Sequence, residues 1–202
     1  MKYAELSLEK LREVCKQAAK DIKEKQEVDL LIYVARAGLP IAVYMNEIFN
    51  VKLLGIGAQR KGNSLKSKVG PLVAYCPRFI RNIFITIELK SKVHKKNTER
   101  HVEFHKSIEK LSIPDYKHIL IVDDSVDTGN SMKLVSEIVQ KTFEKAKVST
   151  YSLNVWKQSK TVFKTDYCSY NDTVIRAPMS KDSREYGAFC IMYDKESKKD
   201  YI

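Results

Sequence analysis

Hydrophobic positions along this chain alternate between helical spacing and short continuous runs. Over residues 7–22, Leu8, Leu11, Val14, Ala18 and Ile22 recur with the helical period, which predicts an amphipathic helix. The run 29–34 (DLLIYV) is continuously apolar, as in a parallel strand buried on both faces. A short turn, 35–38, leads to a helix predicted to open at Pro40, a residue suited to the first helical turn. Ile41, Tyr44 and Ile48 give that helix an inner face, and 51–57 reads as a second strand. Strand, helix and strand in that order predict a right-handed parallel crossover.

The same alternation resumes after residue 117. An apolar strand at 119–122 runs into a polar turn, and Met132, Val135, Ile138, Val139 and Phe143 mark a further helix. Residues 147–155 alternate at Tyr151, Leu153 and Val155, as in a strand. Residues 156–202 read as a small hood over the end of the sheet, its last strand at 188–193. Between these halves, 58–117 is Lys- and Ser-rich at 60–68, apolar at 72–75, β-branched at 83–87 and charged over 90–110. It reads as an insertion, a helix or a hairpin. The pattern implies one α/β domain over 1–202: a core over 1–155 carrying the insertion, a mostly parallel twisted sheet with helices on both faces, and a C-terminal hood.

The turn after 119–122 concentrates the chemistry. Asp123 and Asp124 follow the strand directly, and Thr128, Gly129 and Ser131 sit where the next helix begins. A helix N-terminus offers unpaired N–H groups and a favourable dipole to an anion. Two carboxylates just upstream suit hydroxyls or a hydrated Mg²⁺. One loop thus offers a phosphate cradle beside a pair of diol acceptors, and a sugar phosphate fits both.

Residues 122–131 (VDDSVDTGNS) resemble the phosphoribosyl-pyrophosphate loop of the type I phosphoribosyltransferases. The resemblance implies that Asp123 and Asp124 hold the ribose hydroxyls and, through water, Mg²⁺. It implies that Asp127, Thr128, Gly129, Asn130 and Ser131 wrap the 5′-phosphate. The acid at Asp127 is similar to that of the purine branch, the hypoxanthine-guanine and xanthine-guanine enzymes, where it sits near purine N7 and acts on the base. Arg36-Ala37-Gly38 resembles the family's pyrophosphate loop, usually Arg-Gly-Gly, with Ala37 in place of the first glycine. Lys157 stands near the position of a lysine that contacts the 6-oxo group. Residues 172–179 resemble the segment that stacks on the purine, with Val174 and Ile175 at the base. Val174 and Met179 replace the usual aromatic residues there, and Tyr167 and Tyr170 are candidate substitutes. The implied activity is transfer of 5-phosphoribosyl from phosphoribosyl pyrophosphate to a nitrogenous base, expected to be a purine. The rival readings are a nucleotide-sensing regulator without catalysis and an enzyme with a non-purine acceptor.

Other features change this picture little. The net charge of +11 at pH 7 invites a nucleic-acid reading, but the basic residues are spread along the chain and no aromatic–basic RNA-binding motif accompanies them. An anionic small substrate and a solvated Lys-rich surface account for the charge. Residues 57–64 approach a P-loop, but Asn63 stands where the phosphate-binding lysine belongs. His101 and His105 are four apart, a zinc-capable spacing on a helix, in a segment read as a solvated helix face. Cys15, Cys76, Cys168 and Cys190 form no CxxC pair, which points to reduced thiols and a cytoplasmic setting. No apolar run reaches the ~20 residues of a membrane span, and residues 1–6 are expected to pass straight into the first helix without a signal peptide. A homo-oligomer is expected.

Overall fold

The computed structural model describes residues 2–60, 100–104 and 115–197. Strand β1 (Lys2–Glu5) precedes α1 (Leu8–Lys23), β2 (Leu30–Ala35), α2 (Gly38–Phe49) and β3 (Lys52–Arg60). Then come β4 (Arg100–Phe104), β5 (His118–Val126), α3 (Asn130–Thr142), β6 (Lys147–Val155), a 3₁₀ turn (Lys157–Thr161), β7 (Tyr167–Asn171), β8 (Thr173–Arg176) and α4 (Tyr186–Glu196). The main sheet has the order β4-β3-β2-β5-β6-β7. Its strands β3, β2, β5, β6 and β7 are parallel, and β4 is an antiparallel edge. The expected parallel α/β architecture is present.

Alternation along the central strands builds two cores. Leu31 and Tyr33 of β2 join Leu120 and Val122 of β5 beneath α1 and α2. Leu30, Ile32 and Val34 join Ile119 and Ile121 beneath α3. Successive strand residues point to opposite faces, so a doubly apolar strand is sandwiched between helical layers.

Ser7 caps α1, its Oγ accepting from the Lys10 N–H at 3.1 Å. The buried stripe of α1 is Leu11, Cys15, Ala19 and Ile22. It is turned slightly from the expected one, with Val14 and Ala18 only half-buried. Burial pushes the Cys15 thiol up to about 12, so this cysteine is an inert core residue. Glu47 of α2 accepts both Nε and Nη2 of Arg12 at 2.8 Å and Lys16 Nζ at 3.0 Å, tying the two helices at the surface. Asn50 ends α2 in the left-handed region, and the Asn46 amide brackets the N–H and carbonyl of Val51 at 2.9 Å each.

Four elements differ from expectation. Residues 188–193 lie in helix α4, not a strand: a short continuous apolar run does not distinguish the two, and here Ile191 is 74% exposed while Phe189 is buried. The N-terminus forms β1 before α1. β1 pairs in parallel with β8 in a separate two-stranded sheet, from Lys2 opposite Thr173 to Glu5 opposite Arg176. Of the segment read as a hood, β7 adds a strand to the main sheet. His101 lies in β4, so no helical face forms there. His105, Cys76 and the rest of the insertion at 61–99 and 105–114 lie outside the described residues.

β2 continues through α2 to β3 on one side, while β5 lies on its other side. The strand order therefore reverses between β2 and β5. Open α/β sheets bind ligands in the crevice at such a point, outside the carboxyl ends of the strands.

Candidate active site

The loops after β2 and β5 flank that crevice. Ala37 has ordinary right-handed helical angles, φ −73° and ψ −22°, so a side chain there needs no special backbone. Gly38 is different. A β-carbon on it would lie 2.8 Å from the Val122 carbonyl oxygen and 3.6 Å from Cα of Asp123. The glycine lets the loop lie directly on the strand that carries the acids. The Ala35–Arg36 peptide is cis. The Arg36 guanidinium rests on α4, 4.5 Å from the Tyr193 ring centre, 5.7 Å from that of Phe189 and 3.9 Å from Cys190 Sγ. The loop meets the strand of the acid pair at Gly38, while the Arg36 side chain is turned to α4.

Asp123 is 8% exposed, and the Asp124 N–H donates to its Oδ1 at 2.9 Å. Burial and the charge of Asp124 push the Asp123 carboxyl well above the usual aspartate range. Burial and the charge of Asp127 also push Asp124 up. Removal from water and like charges both disfavour ionisation. The site thus concentrates carboxylate that a cation or hydroxyl donors would relieve.

Beyond the pair, Gly129 takes φ +82° and starts α3 with no side-chain cap. The Lys133 N–H is the first to close onto the helix, donating to the Gly129 carbonyl at 2.9 Å. The N–H groups before it have no partner within the helix. A β-carbon on Gly129 would meet Ser159 O at 3.0 Å and the Phe163 backbone N at 3.2 Å, so the 3₁₀ turn closes the back of the loop. A small cavity of about 40 Å³ lies against this helix start, lined by Asp123, Asp127, Thr128, Gly129 and Ser131 with Ser125, Val126 and Met132. Asn130 stays outside it, its amide donating to Thr128 Oγ1 at 3.3 Å.

A second cleft, of about 200 Å³, adjoins the first. Asp124, Ser125, Asp127 and Asn154 give it polar walls, while Trp156, Val174, Ile175 and Ala177 give it apolar ones. Ser125 and Asp127 line both cavities, and the Ser125 hydroxyl donates to Asp127 Oδ1 at 2.7 Å. Lys157 does not line the cleft. It is exposed, and its backbone N–H donates to Asp172 Oδ1 at 2.7 Å. Tyr167, Tyr170 and Met179 pack on the main core instead. Sequence reasoning missed Ser125, Asn154 and Trp156. Asn154 had a legible signal, since it is a polar residue at the carboxyl end of a strand beside the acid pair.

A family model of the phosphoribosyl transferase domain matches residues 6–175. The chain belongs to the type I phosphoribosyltransferases. These are enzymes of the glycosyltransferase kind, which draw on phosphoribosyl pyrophosphate and a base acceptor. No curated protein matches the sequence. Among solved structures, the fold is similar to the xanthine-guanine-hypoxanthine phosphoribosyltransferase of Helicobacter pylori, with a TM-score of 0.64 at 17% identity over 92% of this chain and 99% of that one. A purine phosphoribosyltransferase from Pyrococcus horikoshii gives 0.56 at 19% identity, over 88% and 93%. A Neisseria gonorrhoeae protein with bound ppGpp gives 0.59 at 13%, over 96% and 98%. Phosphoribosyltransferases generally use Mg²⁺ with the donor. The donor set fits: Mg²⁺ takes one or two carboxylates and completes its shell with water and substrate oxygens. Among the described residues no group of three or more His, Cys, Asp or Glu could hold a metal, so the pair would share the ion with the substrate.

Proposed function

We propose that this phosphoribosyltransferase uses a purine base as its acceptor. The observation that carries the reading is that the helix-start cavity and the wider cleft meet at Ser125 and Asp127. A ribose 5-phosphate held with its phosphate in the first would present its anomeric carbon towards the second. Asp123 and Asp124 hold the 2′ and 3′ hydroxyls. Thr128, Ser131 and the N–H groups starting α3 hold the 5′-phosphate. Asn130 braces Thr128. The backbone of Arg36, Ala37 and Gly38 faces the pyrophosphate.

In the reaction, the bond from the anomeric carbon to pyrophosphate oxygen breaks and its electron pair leaves with pyrophosphate. A ring nitrogen of the base gives its lone pair to the new carbon–nitrogen bond. Asp127 accepts the proton the imidazole ring must lose, a general-base contribution of about 10²–10⁴-fold. Asp123 and Asp124 would hold Mg²⁺ through water, and the ion would supply Lewis-acid neutralisation at the pyrophosphate. Val174 and Ile175 form the base wall, while Lys157 is exposed outside the cleft lining. The free Cys15, Cys168 and Cys190 fit a reducing, cytoplasmic setting.

A second reading has one observation in its favour. A structural neighbour binds ppGpp, which supports a nucleotide-sensing role for the same cavities. Transfer of labelled phosphoribosyl to a panel of bases separates the two. Hypoxanthine, guanine or xanthine should be converted to the nucleotide. Donor binding without transfer to any base would establish the sensor instead.

A further inference from the structure

Among the described residues, the acceptor cleft has one aromatic lining residue, Trp156. Val174 and Ile175 of β8 line the same cleft, and neither offers a flat face. The tryptophan is half-buried at the turn that leaves β6. Its backbone is fixed on both sides. The Trp156 N–H donates to the Val126 carbonyl at 3.1 Å, and the Trp156 carbonyl accepts the N–H and Oγ of buried Ser159 at 2.9 and 2.7 Å. The spacing between the two walls is fixed as well. Asp172, in the left-handed region at φ 51°, donates its N–H to Val155 O at 3.1 Å and accepts the Lys157 N–H at 2.7 Å. One residue therefore staples the tryptophan's turn to the start of β8.

We infer that Trp156 is the stacking platform that selects a planar heteroaromatic acceptor. This rests on the acceptor cleft assigned above. An indole sharing a cleft with aliphatic side chains suits a flat ring. Asp127 at the polar end accepts, so the ring should present an N–H donor to it, while Asn154, whose Oδ1 already accepts the Thr173 N–H at 3.3 Å, offers its amide N–H groups to a ring acceptor. Stacking on a fixed aromatic is favourable for any flat base. A puckered sugar or open-chain acceptor would forfeit that contact, so the slot discriminates by planarity before any hydrogen bond is read.

Trp156 is the only tryptophan of the chain, so its emission reports this one wall. The full-length protein with Mg²⁺ is titrated with GMP, IMP and ribose 5-phosphate, following heat and tryptophan fluorescence together. GMP and IMP should bind and quench the emission. Ribose 5-phosphate should bind with little change. Trp156→Ala should raise KM for the base by about tenfold or more, as loss of base stacking does, and leave KM for phosphoribosyl pyrophosphate within about twofold. Trp156→Phe should restore most of the base affinity, which a merely structural role does not require. If GMP binds by calorimetry without altering the emission, or if Trp156→Ala keeps its base KM, the platform is wrong and the acceptor cleft stands. If no nucleotide binds, the cleft assignment fails and the platform falls with it. The wild-type titration decides even where the alanine variant fails to fold.

Discussion

Gly38 lies so close to Val122 that a β-carbon on the glycine would come within 2.8 Å of the valine carbonyl oxygen. Neither atom belongs to a flexible side-chain tip, so Gly38→Ala must displace either the loop or the end of β5. Small misplacements at a reacting centre are costly, and kcat/KM for phosphoribosyl pyrophosphate should fall about tenfold or more. Ala37→Gly is the control. Ala37 already has helical angles, and glycine's better capping offsets its entropy cost. Activity and melting temperature should change little. Steady-state kinetics and thermal melts of both variants check the pair.

Ser131 lines the cavity at the start of α3. A hydrogen bond to a charged phosphate is worth about 1.5–3 kcal/mol. Ser131→Ala should therefore weaken nucleoside 5′-monophosphate binding roughly ten- to hundredfold, with pyrophosphate binding nearly unchanged. Calorimetry with each ligand distinguishes this from general damage, which would lower both.

Asp127→Asn keeps an oxygen for the Ser125 hydroxyl and removes the base. kcat should drop by one or more decades while donor affinity stays close to wild type, because the lost interaction belongs to proton transfer. A variant that retains wild-type kcat would remove Asp127 from the chemistry.

Asp123 should cost the ligand-free protein stability. Its folded pKa is raised, chiefly by burial and then by Asp124. Between the unfolded and folded values the native state holds a proton that the unfolded chain has released, so stability falls as pH rises through that window. Asp123→Asn removes this dependence. The variant should melt above wild type at neutral pH, and the gap should close as pH falls towards the ordinary aspartate value of 3.8. A pH series of thermal melts tests the sign. The same variant should lose donor binding, so the acid is kept for its function at the expense of the resting fold.

Much of this site was legible because it is local in sequence. The acids, the left-handed glycine and the helix start occupy one uninterrupted loop, and each follows from neighbouring residues alone. Gly38 and Ala37 show the limit of such reading. Both resemble loop glycines on paper, yet only the contact with β5 shows which of them must lack a side chain. Lys157 was singled out for its likeness to the lysine that contacts the 6-oxo group, yet the neighbouring Trp156 lines the cleft and Lys157 does not. β1 was missed for a related reason. Its four residues are mostly exposed and carry no alternation, and its partner β8 lies far along the chain. α4 was misread because six consecutive apolar residues satisfy either period, and only packing on Arg36 and the core decides between them.

The pairing of β1 with β8 has a consequence for the chain as it is made. The Leu6 N–H donates to the Arg176 carbonyl at 2.9 Å, and Arg176 reaches Glu5 at 3.7 Å and Asp182 at 2.9 Å. Translation at roughly 5–20 residues per second leaves β1 without its partner for about 10–30 s. The loop from Asp123 to Ser131 and the helix behind it emerge well within that interval, on a sheet already begun. A ribosome stalled just before β8 would hold a nascent protein with its phosphate cradle and Trp156 already made and the Val174–Ile175 side of its acceptor cleft still unwritten.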